Sequence, residues 1–338
     1  MICCLIIVSF LVPAWLQAQE IPSELSKKLV EKCKTDKEKV SVLFRWVTDN
    51  ISYRTKPKGK TIFSGKHPGK PVSNSQNVSV FADDEPLKPL NERVAEDVLR
   101  SRLAVCDGYT RLFKTLCDYA NIRCEIIWGY ARTDNNKPKS KFGVNHYWNA
   151  VWIDSAWHLV DATWASGYIT RAGGEFVREF DSRYFLTTPE QFIKDHYPDD
   201  PRWLLLPVDY VPDEYSYSPY KQKSFSKYTI TSLFPERGII EANKGDTVSL
   251  KLESKLVSGR TISPDLNADT TLYTQAKSSV FLRPAETGGI KEGRQVSRYI
   301  YIATNTDTKW LYLIYNDDLL LRYKLNIREK NDRLTSPL

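Results

Sequence analysis

Tyr109, Leu112, Phe113, Leu116, Cys117 and Ala120 fall at i, i+3, i+4, i+7, i+8 and i+11. That spacing draws one unbroken apolar stripe along a helix of about three to four turns. Strand-like runs follow it. Arg123 to Ala131 reads as a strand with Cys124, Ile126, Trp128 and Tyr130 on one face. Two further strand-like runs follow, His146–Ile153 and Trp157–Thr163, joined at Asp154-Ser155.

The flanks are read the same way. Thr35-Asp36-Lys37-Glu38 is a capping box ahead of Val40, Leu43, Phe44 and Val47, which share one helical face. Trp46 lies off that stripe. Lys56 to Pro89 is rich in Pro, Gly, Ser and Lys, a long irregular segment of the kind that serves as a lid or stays disordered. Asn91 is expected to cap a short helix from Glu92 to Arg100. Trp164 to about Ser226 gives mixed signals and reads as a connector. Beyond it short alternating runs predict strands at Thr247–Leu252, Thr270–Thr274, Tyr299–Ala303, Trp310–Tyr315 and Leu319–Ile327, with a turn at Asn316-Asp317. Such a series predicts an all-β sandwich. The 338 residues suffice for two domains, and 41% hydrophobic with 26% charged residues is a globular balance.

The charge does not point to nucleic acid. A net charge of +7 is spread along the chain, apart from Arg54, Lys56, Lys58, Lys60, Lys66 and Lys70, and no nucleic-acid reader motif accompanies that stretch. Ile2 to Leu16 is almost wholly apolar, too short for a confident span and suited to a signal-peptide core, with Ala18 as the cleavage position. The expectation is an exported protein, secreted, periplasmic or at the cell surface, with no stable membrane insertion after cleavage. An exported chain could pair some of Cys33, Cys106, Cys117 and Cys124. No metal or cofactor motif is present: there is no HExxH, no Cys/His cluster, no acidic calcium loop and no glycine-rich phosphate loop.

Three residues carry the chemistry. Cys106 precedes the stripe at the predicted helix N-terminus, where unpaired N–H groups and the positive dipole end favour a thiolate. Cys117 lies on the stripe and Cys124 alternates with apolar strand residues, so both read as core. A two-residue turn at Asp154-Ser155 makes Ile153 face Ala156 and, counting back, Trp148 face Asp161. His146 shares the face of Trp148, so His146 and Asp161 become diagonal neighbours. A register shifted by one residue would separate them. His158 falls on the opposite face, His67 in the basic stretch, and His196 just before a Pro-Asp-Asp turn, and none of these is chosen.

These residues resemble a known family. Val105-Cys106-Asp107-Gly108-Tyr109 with Leu112-Phe113 looks like the nucleophile motif of the transglutaminase-like superfamily. Asn145 to Val151 looks like its histidine strand, and Trp157 to Trp164 like its aspartate strand. Phe44-Arg45-Trp46-Val47 and Asn50-Ile51-Ser52-Tyr53 resemble the upstream segment of the kyphoscoliosis-peptidase-like branch. Ala104 stands where a Gly often precedes the Val-Cys pair. The resemblance implies a papain-like α+β core with Cys106 as nucleophile, His146 as base and Asp161 as orienter. It also implies protein or peptide substrates, attacked at a peptide or glutamine carboxamide. Water as acceptor gives a protease or amidase and an amine gives a cross-linker; hydrolysis is slightly favoured because no calcium signature of the animal cross-linking enzymes is seen. The Cys106 backbone N–H, with Trp46 as a side-chain alternative, is the expected oxyanion donor. The competing expectation is a silent scaffold or binding protein of the same fold. The expected organisation is a signal peptide over 1–18, a catalytic domain over 19–165, a connector over 166–230 and an immunoglobulin-like sandwich over 231–330.

Overall fold

Thr35 accepts from the Glu38 backbone while Glu38 accepts from the Thr35 N–H, so the capping box closes both ways. In this computed structural model residues 20–55, 88–132, 142–170, 174–206, 210–255, 278–289 and 291–330 are described. The N-terminal apolar run, all but the end of the Lys56–Pro89 segment, the polar loop from Asp134 to Lys141 and the run at Thr270–Thr274 lie outside them. Residue contacts divide the chain into two units, Met1–Ile126 with Tyr147–Thr187, and Ile127–His146 with Thr188–Leu338.

Along the chain, α1 (Pro22–Val30), α2 (Asp36–Asn50), β1 (Ser52–Tyr53), α3 (Leu90–Ser101), β2 (Leu103–Ala104) and α4 (Cys106–Tyr119) precede the strands β3 (Cys124–Ala131), β4 (His146–Ile153) and β5 (Ala156–Val160); residues 127–146 of β3 and β4 fall in the second unit. Then come α5 (Ala162–Ala165), β6 (Gly167–Ile169) and β7 (Phe176–Arg178). The stripe of α4 is buried as its spacing predicts, with Tyr109, Leu112, Phe113, Leu116 and Cys117 closed to solvent. It joins the stripe of α2 and Val151, Ile153 and Val160 of the sheet in one core. The Tyr109 hydroxyl donates to the Ile51 carbonyl at 2.7 Å, tying α4 to the end of α2.

The hairpin of β4 and β5 has the predicted register. Ile153 pairs with Ala156, Val151 with His158 and Asn149 with Val160. Asp154 and Ser155 both take positive φ, 51° and 62°, the type I′ geometry that suits the right-handed twist of the strands. Two local expectations need correction. Asn91 does not cap α3: the helix starts at Leu90 after Pro89, and the Asn91 side chain instead accepts from Arg111. The second hairpin strand does not run on to Thr163 but stops at Val160, because Asp161 turns the chain into α5.

The second unit holds α6 (Pro189–Phe192) and β8 (His196–Pro198), which pairs antiparallel with β3 at Gly129–Ala131. After β9 (Tyr220–Lys221) come β10 (Thr229–Phe234), β11 (Ile239–Asn243), β12 (Thr247–Lys255), β13 (Ser279–Leu282), β14 (Glu286–Thr287), β15 (Arg294–Ile302), β16 (Trp310–Tyr315) and β17 (Asp318–Arg328). One sheet orders β10-β12-β15-β14 and the other β11-β17-β16-β13. Their inner faces meet in a single core, Val248, Leu250 and Tyr299 from the first and Leu313, Leu321 and Tyr323 from the second. This is the all-β sandwich expected from the alternating runs. Asn316 and Asp317, both at positive φ, make the predicted turn between β16 and β17.

Candidate active site

Cys106 is the first residue of α4, half-buried, and follows an extended Val105. The opening N–H groups of a helix have no intrahelical acceptor, so they and the dipole bear on whatever the first turn carries. The pairing of β1 with β2 fixes what lies beside it: Tyr53 sits level with Ala104, two residues before Cys106, and the Arg54 N–H donates to the Ala104 carbonyl at 2.8 Å. Gly108 allows this close approach, since a Cβ there would come within 2.8 Å of the Ala104 Cβ. The Tyr53 hydroxyl is pushed up to about 12, by burial first, with smaller electrostatic contributions from its neighbours Cys106 and Asp161. Tyr53 therefore stays a protonated O–H near neutral pH, and it reports that Cys106 and Asp161 share its neighbourhood.

Asp161 is fully buried. It is the N-cap of α5, and its Oδ1 accepts from the backbone N–H groups of Thr163 at 2.8 Å and Trp164 at 3.1 Å. Its own N–H donates to the Tyr184 carbonyl at 2.9 Å. A carboxylate held this way is fixed in direction, as a group that orients an imidazole must be.

His146 opens β4 and is buried. In its own unit its neighbour Asn145 is locked to β3. The Asn145 N–H donates to Gly129 at 2.9 Å, and its side chain both accepts from the Ala131 N–H at 2.7 Å and donates to the Ala131 carbonyl at 2.9 Å. His196 pairs with the same Ala131 from β8. The two imidazoles end 5.5 Å apart between centroids at 54°. His196 is buried, stacks on Phe192 at 4.2 Å, and has Nδ1 2.6 Å from Asp195 Oδ1.

The remaining residues singled out by sequence fall where their patterns put them. Cys117 and Cys124 are buried, and burial pushes the Cys117 thiol well above the usual range. His158 is half-buried on β5 opposite Val151. Trp46 packs against the helical core under the Arg102 guanidinium, 4.9 Å from its ring. Sequence patterns alone pass over Tyr53, His196 and Asp195. Tyr53 could be found from the upstream motif that contains it. His196 and Asp195 carry no local signal, since only the pairing of β8 with β3 brings them to His146.

Residues 72–162 match the model of the transglutaminase-like superfamily. The chain is 29% identical over 235 residues to kyphoscoliosis peptidase of Mus musculus, covering 69% of this chain and 31% of that protein. It is 29% identical over 223 residues to hillarin of Drosophila melanogaster, covering 62% of this chain and 24% of that protein. The chain thus spans about a third or less of the relatives it matches. Among solved structures, one described as a TGase is 19% identical over 48% of this chain and 36% of that one, with a TM-score of 0.24.

Proposed function

From the premise that this chain carries a transglutaminase-like domain on the kyphoscoliosis-peptidase-like side of its superfamily, we propose that it is a thiol enzyme acting on peptide or glutamine carboxamide bonds. Cys106 is the nucleophile, His146 the base and Asp161 the group that orients it. The observation that carries this reading is the placing of Cys106 at the first residue of α4, in the same unit as a buried Asp161 whose Oδ1 is fixed by two backbone N–H groups.

The step follows from the groups. His146 takes the thiol proton as Cys106 Sγ adds to the carbonyl carbon. The backbone N–H at Cys106 faces the developing oxyanion. The C–N bond breaks, the proton passes from His146 to the leaving nitrogen, and a thioester on Cys106 remains. Water then returns the acid, or an amine gives a new amide. Water is the favoured acceptor, in keeping with the word peptidase in the relatives' name. We further propose that Ile2–Leu16 exports the chain. N-terminal sequencing of the secreted form is expected to begin at residue 19, and an intact N-terminus would overturn this.

The test uses wild type and Cys106→Ala with a glutamine-containing protein and a labelled amine, scoring cleavage, deamidation and incorporation. Turnover lost in the variant is expected. No product from wild type under any condition would favour the silent scaffold.

A further inference from the structure

We propose that His196, aligned by Asp195, is a positioning residue for His146. The proposal rests on the reading of His146 as the base, but its geometry does not. His196 and the residue that precedes His146 are tied to one residue of β3: Asn145 brackets Ala131 from one side through two side-chain hydrogen bonds, and His196 pairs with it from the other. The backbones of the two histidines therefore share a common frame, and their ring centroids lie 5.5 Å apart.

The His196 ring is itself fixed from two directions. Phe192 stacks on it at 29° and 4.2 Å, which sets the plane. The Asp195 carboxylate at 2.6 Å from Nδ1 sets the rotation within that plane. With a carboxylate as partner, Nδ1 carries the proton, so the tautomer is fixed as well. Phe192 and His196 stack, and the His146 ring lies tilted at 54° beside His196, all three rings buried. A buried imidazole that must alternate between neutral and charged forms keeps its orientation only if its neighbours cannot yield. His196 is such a neighbour, rigid because Asp195 and Phe192 hold it. The pattern repeats the logic of a carboxylate orienting a histidine, here one ring removed from the base.

The test reads the ring directly. The chain has 4 histidines, so imidazole ¹⁵N spectra of labelled protein are resolvable, with His146→Gln giving the assignment. His196→Gln and Asp195→Asn are each expected to shift the His146 ring signals and broaden its tautomer balance. On a peptide substrate, His196→Gln is expected to lower kcat by about tenfold to a hundredfold with KM within about twofold, as for a misplaced catalytic group. In His196→Ala added imidazole is expected to restore part of kcat. Unchanged His146 signals in folded His196→Gln would overturn the proposal whatever the activity. If His196→Gln fails to fold, Asp195→Asn keeps the ring in place, and unchanged His146 signals there would overturn the proposal equally. Cys106→Ala as active as wild type would instead remove the thiol reading, while the spectra still decide whether the two rings are coupled.

Discussion

A carboxylate that accepts two backbone N–H groups is both a cap and a fixed charge, and Asp161 is both. The two roles separate by substitution. Asp161→Asn retains an oxygen for Thr163 and Trp164, so its thermal stability should stay within about 1 kcal/mol of wild type. It cannot hold an imidazole in one tautomer, so turnover should fall at least a hundredfold, on the order seen when such an orienter is neutralised. Asp161→Ala loses the cap as well and should cost a further ~1–2 kcal/mol. Equal turnover in Asp161→Asn and wild type would remove it from the chemistry. Cys106, His146 and Asp161 are legible in the sequence because each sits in a short window whose neighbours announce it. His196 is not, since its nearness to His146 comes from a strand pairing far along the chain.

At the scale of elements, period and turn chemistry are informative where contacts are local. The stripe of α4, the Thr35 capping box and the register of β4 with β5 all follow from residues within one or two turns of one another. The sandwich is legible as strands but not as pairings. β11 runs parallel to β17, and β13 parallel to β16, and a parallel neighbour joined through distant chain leaves no turn signal to read. The hairpin turn also offers a test. Ser155 holds φ 62° with a side chain attached, a left-handed conformation that costs a non-glycine residue about 1 kcal/mol. Ser155→Gly completes the Asp-Gly pair favoured in type I′ turns and should raise stability by about 0.5–1 kcal/mol, read as a higher Tm with unchanged spectra. A lower Tm would mean that the turn is set by packing and not by backbone preference.

On the scale of the whole molecule, each unit has its own buried core, and the second buries an arginine and a carboxylate side by side. Arg322 is closed to solvent and ringed by Tyr220 at 4.7 Å, Tyr197 at 5.1 Å, Trp310 at 5.4 Å and Tyr312 at 5.8 Å. Its Nη1 donates to the Asp199 carbonyl at 2.8 Å, and Trp128 Nε1 donates to the Asp199 carboxylate at 3.0 Å. Burial pushes Asp199 up to about 6, against the pull of Arg322. A carboxyl raised in the folded state binds more protons there than in the unfolded chain, so its contribution to stability falls as pH rises from about 4 through about 6. Asp199→Asn mimics the protonated form. Its stability relative to wild type should therefore grow across that window by up to about 3 kcal/mol, the equivalent of two pKa units. Denaturation curves of the two proteins from pH 4 to 8 check this, and parallel pH profiles would refute it.

The separate cores imply that damage to one is read first in its own unit. Leu116 is closed to solvent in a cluster drawn wholly from Met1–Ile126 and Tyr147–Thr187. The sandwich core around Leu313 and Leu321 is drawn wholly from the other unit. Leu116→Ala leaves a cavity worth about 2–5 kcal/mol. Local opening is governed by the stability of the cooperative unit to which an amide belongs. Hydrogen exchange in Leu116→Ala should therefore accelerate through α2, α4 and β5, while β12, β16 and β17 keep wild-type protection. Equal acceleration in both sets would show one cooperative fold in place of two, because the sandwich strands contribute nothing to the cavity and could lose protection only by unfolding with it.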